Sequence, residues 1–367
     1  MSSPHVNPKL TQTKLSAFYL FPESKKRPAS TSAKTGSPTD SEQESRDVSD
    51  QPSETATEIG YSDEWPDSEP SQSRIRPKRK RPPEVVRRRK MLSQIAQETR
   101  KILPKILQAI PHAPPKGYLY TPPLPPVLDK KFCPGFLPAE VKVVDADSFD
   151  TAINLANCSQ YMTVRDRRHV CVLNMANAYS AGGGWLNGAL AQEEALCYRS
   201  SLSFTLKLRY YPLDDNQAIY SPTVVIIRNS INDGHKLLDL TKPDELPIVS
   251  VISIAALCQP ALVTSGTLPK YKNAKDRDLM KEKMRIILRI AAFNGHRRLV
   301  LGAFGCGAFL NPRDEVADCW AEVLKENEFQ GGWWESIVFA VMDDLGAGKN
   351  GDGNFGVFYR KLHGVMI

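Results

Sequence analysis

The densest chemistry in the chain is the run Asn177-Ala-Tyr-Ser-Ala-Gly182-Gly183-Gly184, followed after seven residues by Gln192-Glu193-Glu194. Three consecutive glycines straight after a predicted strand let the backbone approach a ligand closely and turn its amides toward an anion such as a diphosphate. Two adjacent carboxylates within reach of the same loop could supply the acid and the base that glycosidic cleavage requires. One carboxyl can do both, if water arrives on the face that the leaving group vacates. Like charge and burial raise the pKa of such a pair, and a helix N-terminus lowers it, so a protonated Glu194 near neutrality requires the first two to prevail. Each piece alone has a plainer reading. The glycines then form a flexible turn and the glutamates the charged first turn of a helix.

The elements that must hold these residues show in the hydropathy pattern. Apolar, β-branched runs at 141–144, 170–175, 223–227, 248–254, 299–301 and 337–341 predict strands. Helical patterns fall at 148–157, 192–208, 276–293 and 312–325. This alternation predicts an α/β layered domain with a mixed, mostly buried sheet. Upstream, 91–109 carries one apolar helical face that Pro104 should kink or split, and 111–126 is proline-rich enough to read as an extended strap. The segment 28–82 is too poor in apolar residues to offset its chain entropy and should be disordered. The chain therefore divides into a tail over 1–90, a helix and strap over 91–136, and the α/β domain over 137–367. The stretch 229–246 carries no assignable element and reads as an insertion.

Taken together, the glycine run and Gln192-Glu193-Glu194 resemble the signature of the poly(ADP-ribose) glycohydrolases, in the microbial-type branch. Val172 to Ala178 before the loop, Gly188 to Leu202 after it, and a second segment, Leu301-Gly-Ala-Phe-Gly305-Cys306-Gly307-Ala308-Phe309-Leu-Asn311-Pro312, support the resemblance. It covers about 137–345 and implies a macrodomain-like three-layer α/β/α sandwich. It further implies that Glu194 is the catalytic carboxylate, that Glu193 orients the ribose of the scissile bond, and that Asn177 hydrogen-bonds that ribose. Gly182, Gly183 and Gly184 would line the catalytic loop, and Gln192 would contact the substrate. Gly305, Cys306, Gly307 and Ala308 would offer amides to the diphosphate, Phe309 would pack on the distal ribose, and Asp147 is the candidate adenine contact. Ala181 departs from the family, which commonly has proline there. The alternatives are a mono-ADP-ribosyl hydrolase acting on protein or nucleic acid, a non-catalytic ADP-ribose reader, which the two retained glutamates oppose, and a clamp-bound scaffold.

No metal or cofactor is implied. The six histidines are scattered without a ligand spacing, and the seven cysteines form no CxxC pair, so neither a zinc site nor a disulfide framework is expected. Cys306 has no neighbouring histidine and reads as a close-packed small residue. Ten basic residues and one acid between 74 and 90 exceed the whole formal net charge of +7, so the rest of the chain is slightly acidic and shows no sign of a basic nucleic-acid face. The two basic clusters, 76–81 and 87–90, read as a nuclear import signal, with nonspecific contact to nucleic acid or polymer as the rival. Gln12, Leu15, Phe18 and Tyr19 fit the motif that binds the sliding clamp (PCNA). With no apolar run long enough to span a membrane, the expected partners are ADP-ribose polymer or ADP-ribosylated protein, the clamp and an import receptor, and the expected location is the nucleus.

Overall fold

Alternation along the central strands decides the architecture. The computed structural model describes residues 82–122, 125–157, 168–265 and 268–367. In β3 (Cys171–Met175), Cys171 and Leu173 face one apolar cluster and Val172 the other. In β5 (Ile248–Ile254), Ile252 and Ile254 oppose Val249 and Val251, and in β8 (Arg298–Leu301) Leu299 and Leu301 oppose Val300. Both faces of the sheet are therefore covered. One side carries α1 (Pro83–Ala109), α2 (Ser148–Asn157) and α3 (Gln192–Arg199). The other carries α5 (Ala274–Phe293), α6 (Arg313–Leu324) and α7 (Asn354–Leu362), with a short α4 (Leu202–Thr205) following α3. This is the expected three-layer α/β/α sandwich.

The seven-stranded sheet runs β1-β4-β5-β3-β8-β9-β2, with β1 (Tyr118–Tyr120), β2 (Lys142–Val144), β4 (Ala218–Val225) and β9 (Ser336–Ala340) completing it. β5, β3, β8, β9 and β2 are mutually parallel, β4 runs antiparallel to β5, and β1 runs antiparallel to β4. The loops after β3 and after β8 thus leave the same end of neighbouring strands, where parallel α/β sheets hold ligands. A separate hairpin pairs β6 (Leu262–Ser265) with β7 (Leu268–Tyr271).

Several boundaries differ from the sequence reading. The helix expected from 91 begins at Pro83, so it takes in the second basic cluster. Pro104 does not split α1. It is exposed, while Leu103, Ile106 and Ile110 beside it bury against Val225, Ile227 and Leu246. At ~1.5–3 kcal/mol per buried side chain, that burial outweighs the ~3 kcal/mol cost of an internal proline. The helix expected over 192–208 breaks after Arg199, because Ser200 turns extended and bridges Ile226 while the Ser201 hydroxyl accepts the Val225 amide. β4 starts earlier than expected and passes through Pro222, tolerated because a bulge falls between Ser221 and Val224, beyond the end of β1. The strap contributes β1 to the sheet edge, and 229–246 forms two short turns that pack under α1. The clamp motif at 12–19 and the basic cluster at 76–81 lie outside the described residues. No described helix is long and apolar enough to cross a membrane.

Candidate active site

The glycine loop follows β3 directly, and α3 begins with the two glutamates. Glu194, at the third position of α3, reaches back so that Oε2 accepts the Ala191 amide at 3.0 Å, which is half of a capping box. Its Oε1 accepts the Gly184 amide at 2.9 Å. Glu193 lies deeper, 3% exposed, and Oε2 accepts the Asn177 amide at 2.7 Å. The Gly182 amide and Asn174 Nδ2 (3.3 Å) also donate to Glu193. The glycine amides therefore hold the protein's own carboxylates, and the Gly183 amide closes a turn onto Ser180 O at 3.0 Å, so this loop does not offer them to a diphosphate. The missing side chain at Gly183 leaves room for chemistry: a Cβ there would fall 2.3 Å from Glu194 Oε1 and 3.2 Å from Glu193 Oε2.

Burial pushes Glu193 up to about 8, overcoming the donors that favour its charged form, and the neighbouring Glu194 adds to the rise. The sequence reading placed the proton question on Glu194, whereas the deep desolvation falls on Glu193.

Asn177 Oδ1 accepts the amides of Tyr179 and Ser180 at 2.8 and 2.9 Å and shapes the loop, while its Nδ2 keeps no protein acceptor among the described residues. Gln192, read as lining the substrate, is instead committed to the scaffold. Its Oε1 accepts the Met175 amide at 3.0 Å and its Nε2 donates to Leu173 O at 2.7 Å, tying α3 to β3. Asp147 likewise serves the scaffold: Oδ1 caps α2 through the Phe149 and Asp150 amides and pairs with the buried Arg199.

The second loop, after β8, reaches the first at Gly302, where an added Cβ would lie 3.3 Å from Met175 at the end of β3. Cys306 donates its amide to Ala303 O at 3.0 Å and leaves the set of expected anion donors. The amides of Gly305, Gly307, Ala308 and Phe309 have no protein acceptor among the described residues, which suits an anion cradle. Burial pushes the Cys306 thiol up, which opposes a nucleophilic role. Phe309 is half-buried at the edge of the core. Asn311, quoted in the sequence but given no role, organises this loop: Nδ2 donates to Leu257 O at 2.7 Å and Gly305 O at 3.0 Å, and Oδ1 accepts the Tyr271 hydroxyl at 2.8 Å. Asn174 was also missed, although a polar residue inside an otherwise apolar strand was the visible signal.

Helix α1 buttresses the glycine loop. Ser93 Oγ donates to Leu186 O at 2.7 Å and Arg89 Nε to Asn187 O at 3.3 Å. A Cβ on Gly188 would lie 2.0 Å from the Arg89 carbonyl oxygen, so only glycine lets the turn close on α1. Farther along, Arg228 donates to Thr99 Oγ1 (2.9 Å) and Glu98 Oε2 (2.6 Å), and Thr99 Oγ1 donates to Tyr198 O (2.9 Å), joining α1 to the end of α3. Among the described residues no three His, Cys, Asp or Glu side chains are grouped to hold a metal ion.

The family model of the microbial-type poly(ADP-ribose) glycohydrolase catalytic domain matches residues 137–229, which contain the glycine loop and both glutamates. The chain is similar to the crystal structure of poly(ADP-ribose) glycohydrolase from Thermomonospora curvata, at 27% identity and a TM-score of 0.57, covering 74% of this chain and 98% of that one. An inhibitor-bound form of the same enzyme matches at 27% identity and a TM-score of 0.56, covering 73% and 98%. The Deinococcus radiodurans enzyme in complex with ADP-ribose matches at 29% identity and a TM-score of 0.53, covering 67% and 94%. Curated protein sequences give no match. Over residues 137–229 the chain matches the microbial-type poly(ADP-ribose) glycohydrolase catalytic domain, and its fold is similar to that of these two bacterial enzymes.

Proposed function

We propose that the chain hydrolyses the ribose–ribose O-glycosidic bonds of poly(ADP-ribose) and releases ADP-ribose. The observation that carries this reading is the carboxylate pair at the start of α3, with Glu194 Oε1 facing the bare backbone of Gly183. In this reading the diphosphate rests on the amides of Gly305, Gly307, Ala308 and Phe309, and the Phe309 ring packs on the distal ribose. Asn177 Nδ2 bonds the ribose of the scissile linkage and Glu193 orients it. Glu194 protonates the leaving ribose oxygen as its bond to the anomeric carbon breaks. It then takes a proton from the water that adds to that carbon, and so ends the cycle protonated. Because Glu193 keeps its own proton to about pH 8, Glu194 becomes an anion beside a neutral neighbour rather than beside a second charge.

Incubation with polymer and, separately, with mono-ADP-ribosylated protein, followed by measurement of free ADP-ribose, tests this. Release from polymer is expected. Release from the mono-modified protein alone would favour the single-unit hydrolase, and binding without release would favour the reader.

Action in the nucleus at replication or repair sites rests on the motif at Gln12, Leu15, Phe18 and Tyr19 and on the basic clusters at 76–81 and 87–90. A peptide spanning 12–19 should bind purified clamp, and Phe18→Ala with Tyr19→Ala should abolish binding because the apolar prongs act as hot spots. Equal affinities would remove the clamp from the reading.

A further inference from the structure

We propose that the first two turns of α1 form a phosphate-binding ridge that holds the polymer beside the catalytic loop, an inference that rests on the polymer being the substrate. Residues 87–90 read Arg-Arg-Arg-Lys, and α1 sorts them by face. Arg89 is half-buried and turned onto Asn187 O, whereas Arg87, Arg88 and Lys90 are exposed. None of these three pairs with a carboxylate among the described residues. Elsewhere the arginines on long helices are committed: Arg277 to Glu322, Arg285 to Glu326 and Arg289 to Glu328. The ridge therefore concentrates exposed, uncommitted positive charge beside the catalytic loop.

Its position is fixed by the contacts that seat α1 on the catalytic loop. Ser93 and Arg89 hold the carbonyls of Leu186 and Asn187, and Gly188 admits the Arg89 backbone, so the ridge cannot drift relative to Glu193 and Glu194. Each ADP-ribose unit carries a diphosphate, so a polymer with one unit in the site presents further phosphates at its mouth. Cations there gain affinity by releasing the counterions of those phosphates, and the gain grows as salt falls. Adjacency to the catalytic loop favours this polymer over duplex nucleic acid as the occupant.

The test uses the full chain carrying Glu194→Gln, so that binding is read without turnover, with and without Arg87→Glu, Arg88→Glu and Lys90→Glu together. Affinities for long polymer, for duplex DNA and for monomeric ADP-ribose are measured across a salt series, and thermal melting checks the fold. The triple change should weaken polymer binding at least ~10-fold at low salt and flatten the log–log salt dependence by about 2, at ~0.7 per phosphate contact. Affinity for monomeric ADP-ribose should stay the same. A triple Gln variant should show the same loss to a smaller degree. Unchanged polymer affinity and salt slope would overturn the ridge, as would a loss confined to duplex DNA. Hydrolysis of polymer by the parent chain is scored separately, so failure of the activity and failure of the ridge give different results.

Discussion

Gly183→Ala is the sharpest perturbation of the site, because a single methyl group reports on whether Glu194 must stand where it does. Gly183 has φ +59°, a conformation that costs a non-glycine residue roughly 1–2 kcal/mol. The added Cβ would lie 2.3 Å from Glu194 Oε1, where ordinary contact begins at 3.4 Å, so the carboxylate must retreat by about 1 Å. Overpacking of this kind costs a further ~1–3 kcal/mol. The total of roughly 2–5 kcal/mol lies below the ~5–15 kcal/mol stability of a typical domain, so the variant should fold with a lowered Tm. A displacement of ~1 Å at a catalytic group can cost about 100-fold in rate, and that loss should appear in kcat with little change in KM. Gly184→Ala is the control. Its φ is −94° and its Cβ would meet Ala189 at 2.9 Å while staying 3.9 Å from Glu194 Oε1, so it should lose far less activity for a similar gain in volume. Initial rates of ADP-ribose release from polymer measure both. A folded Gly183→Ala enzyme whose kcat stays within about threefold of the parent would refute the assignment of Glu194 Oε1 to the reacting oxygen.

Glu194→Gln keeps shape and hydrogen bonding but cannot exchange a proton, so turnover should fall at least ~100-fold while ADP-ribose binding survives in a titration. Glu193→Gln should cost less turnover and should change the pH dependence of stability. Folded Glu193 holds its proton to about pH 8, whereas an ordinary glutamate releases it near 4.5. That contribution is therefore full below about 4.5 and is lost as the pH rises through about 8. The parent's Tm should fall across this window relative to Glu193→Gln, and parallel Tm curves would show that burial does not govern the residue. A chain beginning at residue 82 should match the full-length rate, whereas one beginning at 91 loses Arg89 and should show a lower kcat and Tm. Equal rates for the two would mean that the first turns of α1 do not support the loop. A chelator should leave the rate unchanged, since the proposed steps use only side chains, backbone amides and water.

Strand and helix positions in the doubly buried core were legible because β-branched runs and single apolar stripes leave few alternatives. β5 was read to the residue, and α5 and α6 to within two residues at each end. The glycine run and the two glutamates stood out because three glycines follow a predicted strand directly and two adjacent carboxylates come within reach of the same loop. Reading failed where a long-range partner outweighed a local preference. The start of α1 is set by its packing on Leu186 to Gly188, far away in sequence, and α3 ends where β4 offers Ser200 a strand partner.

By itself the sequence determined the residue types at the site and the layered class of the fold, since both depend on local composition and period. Only the tertiary structure decided what each polar group does. It turned the glycine amides onto Glu193 and Glu194 instead of a diphosphate, gave Gln192 and Asp147 to the scaffold, and left the unpaired amides to the loop after β8. The physical reason is that a hydrogen bond or a desolvation penalty belongs to a pair of groups in space. Parallel neighbours β3 and β8 bring together loops that lie more than a hundred residues apart.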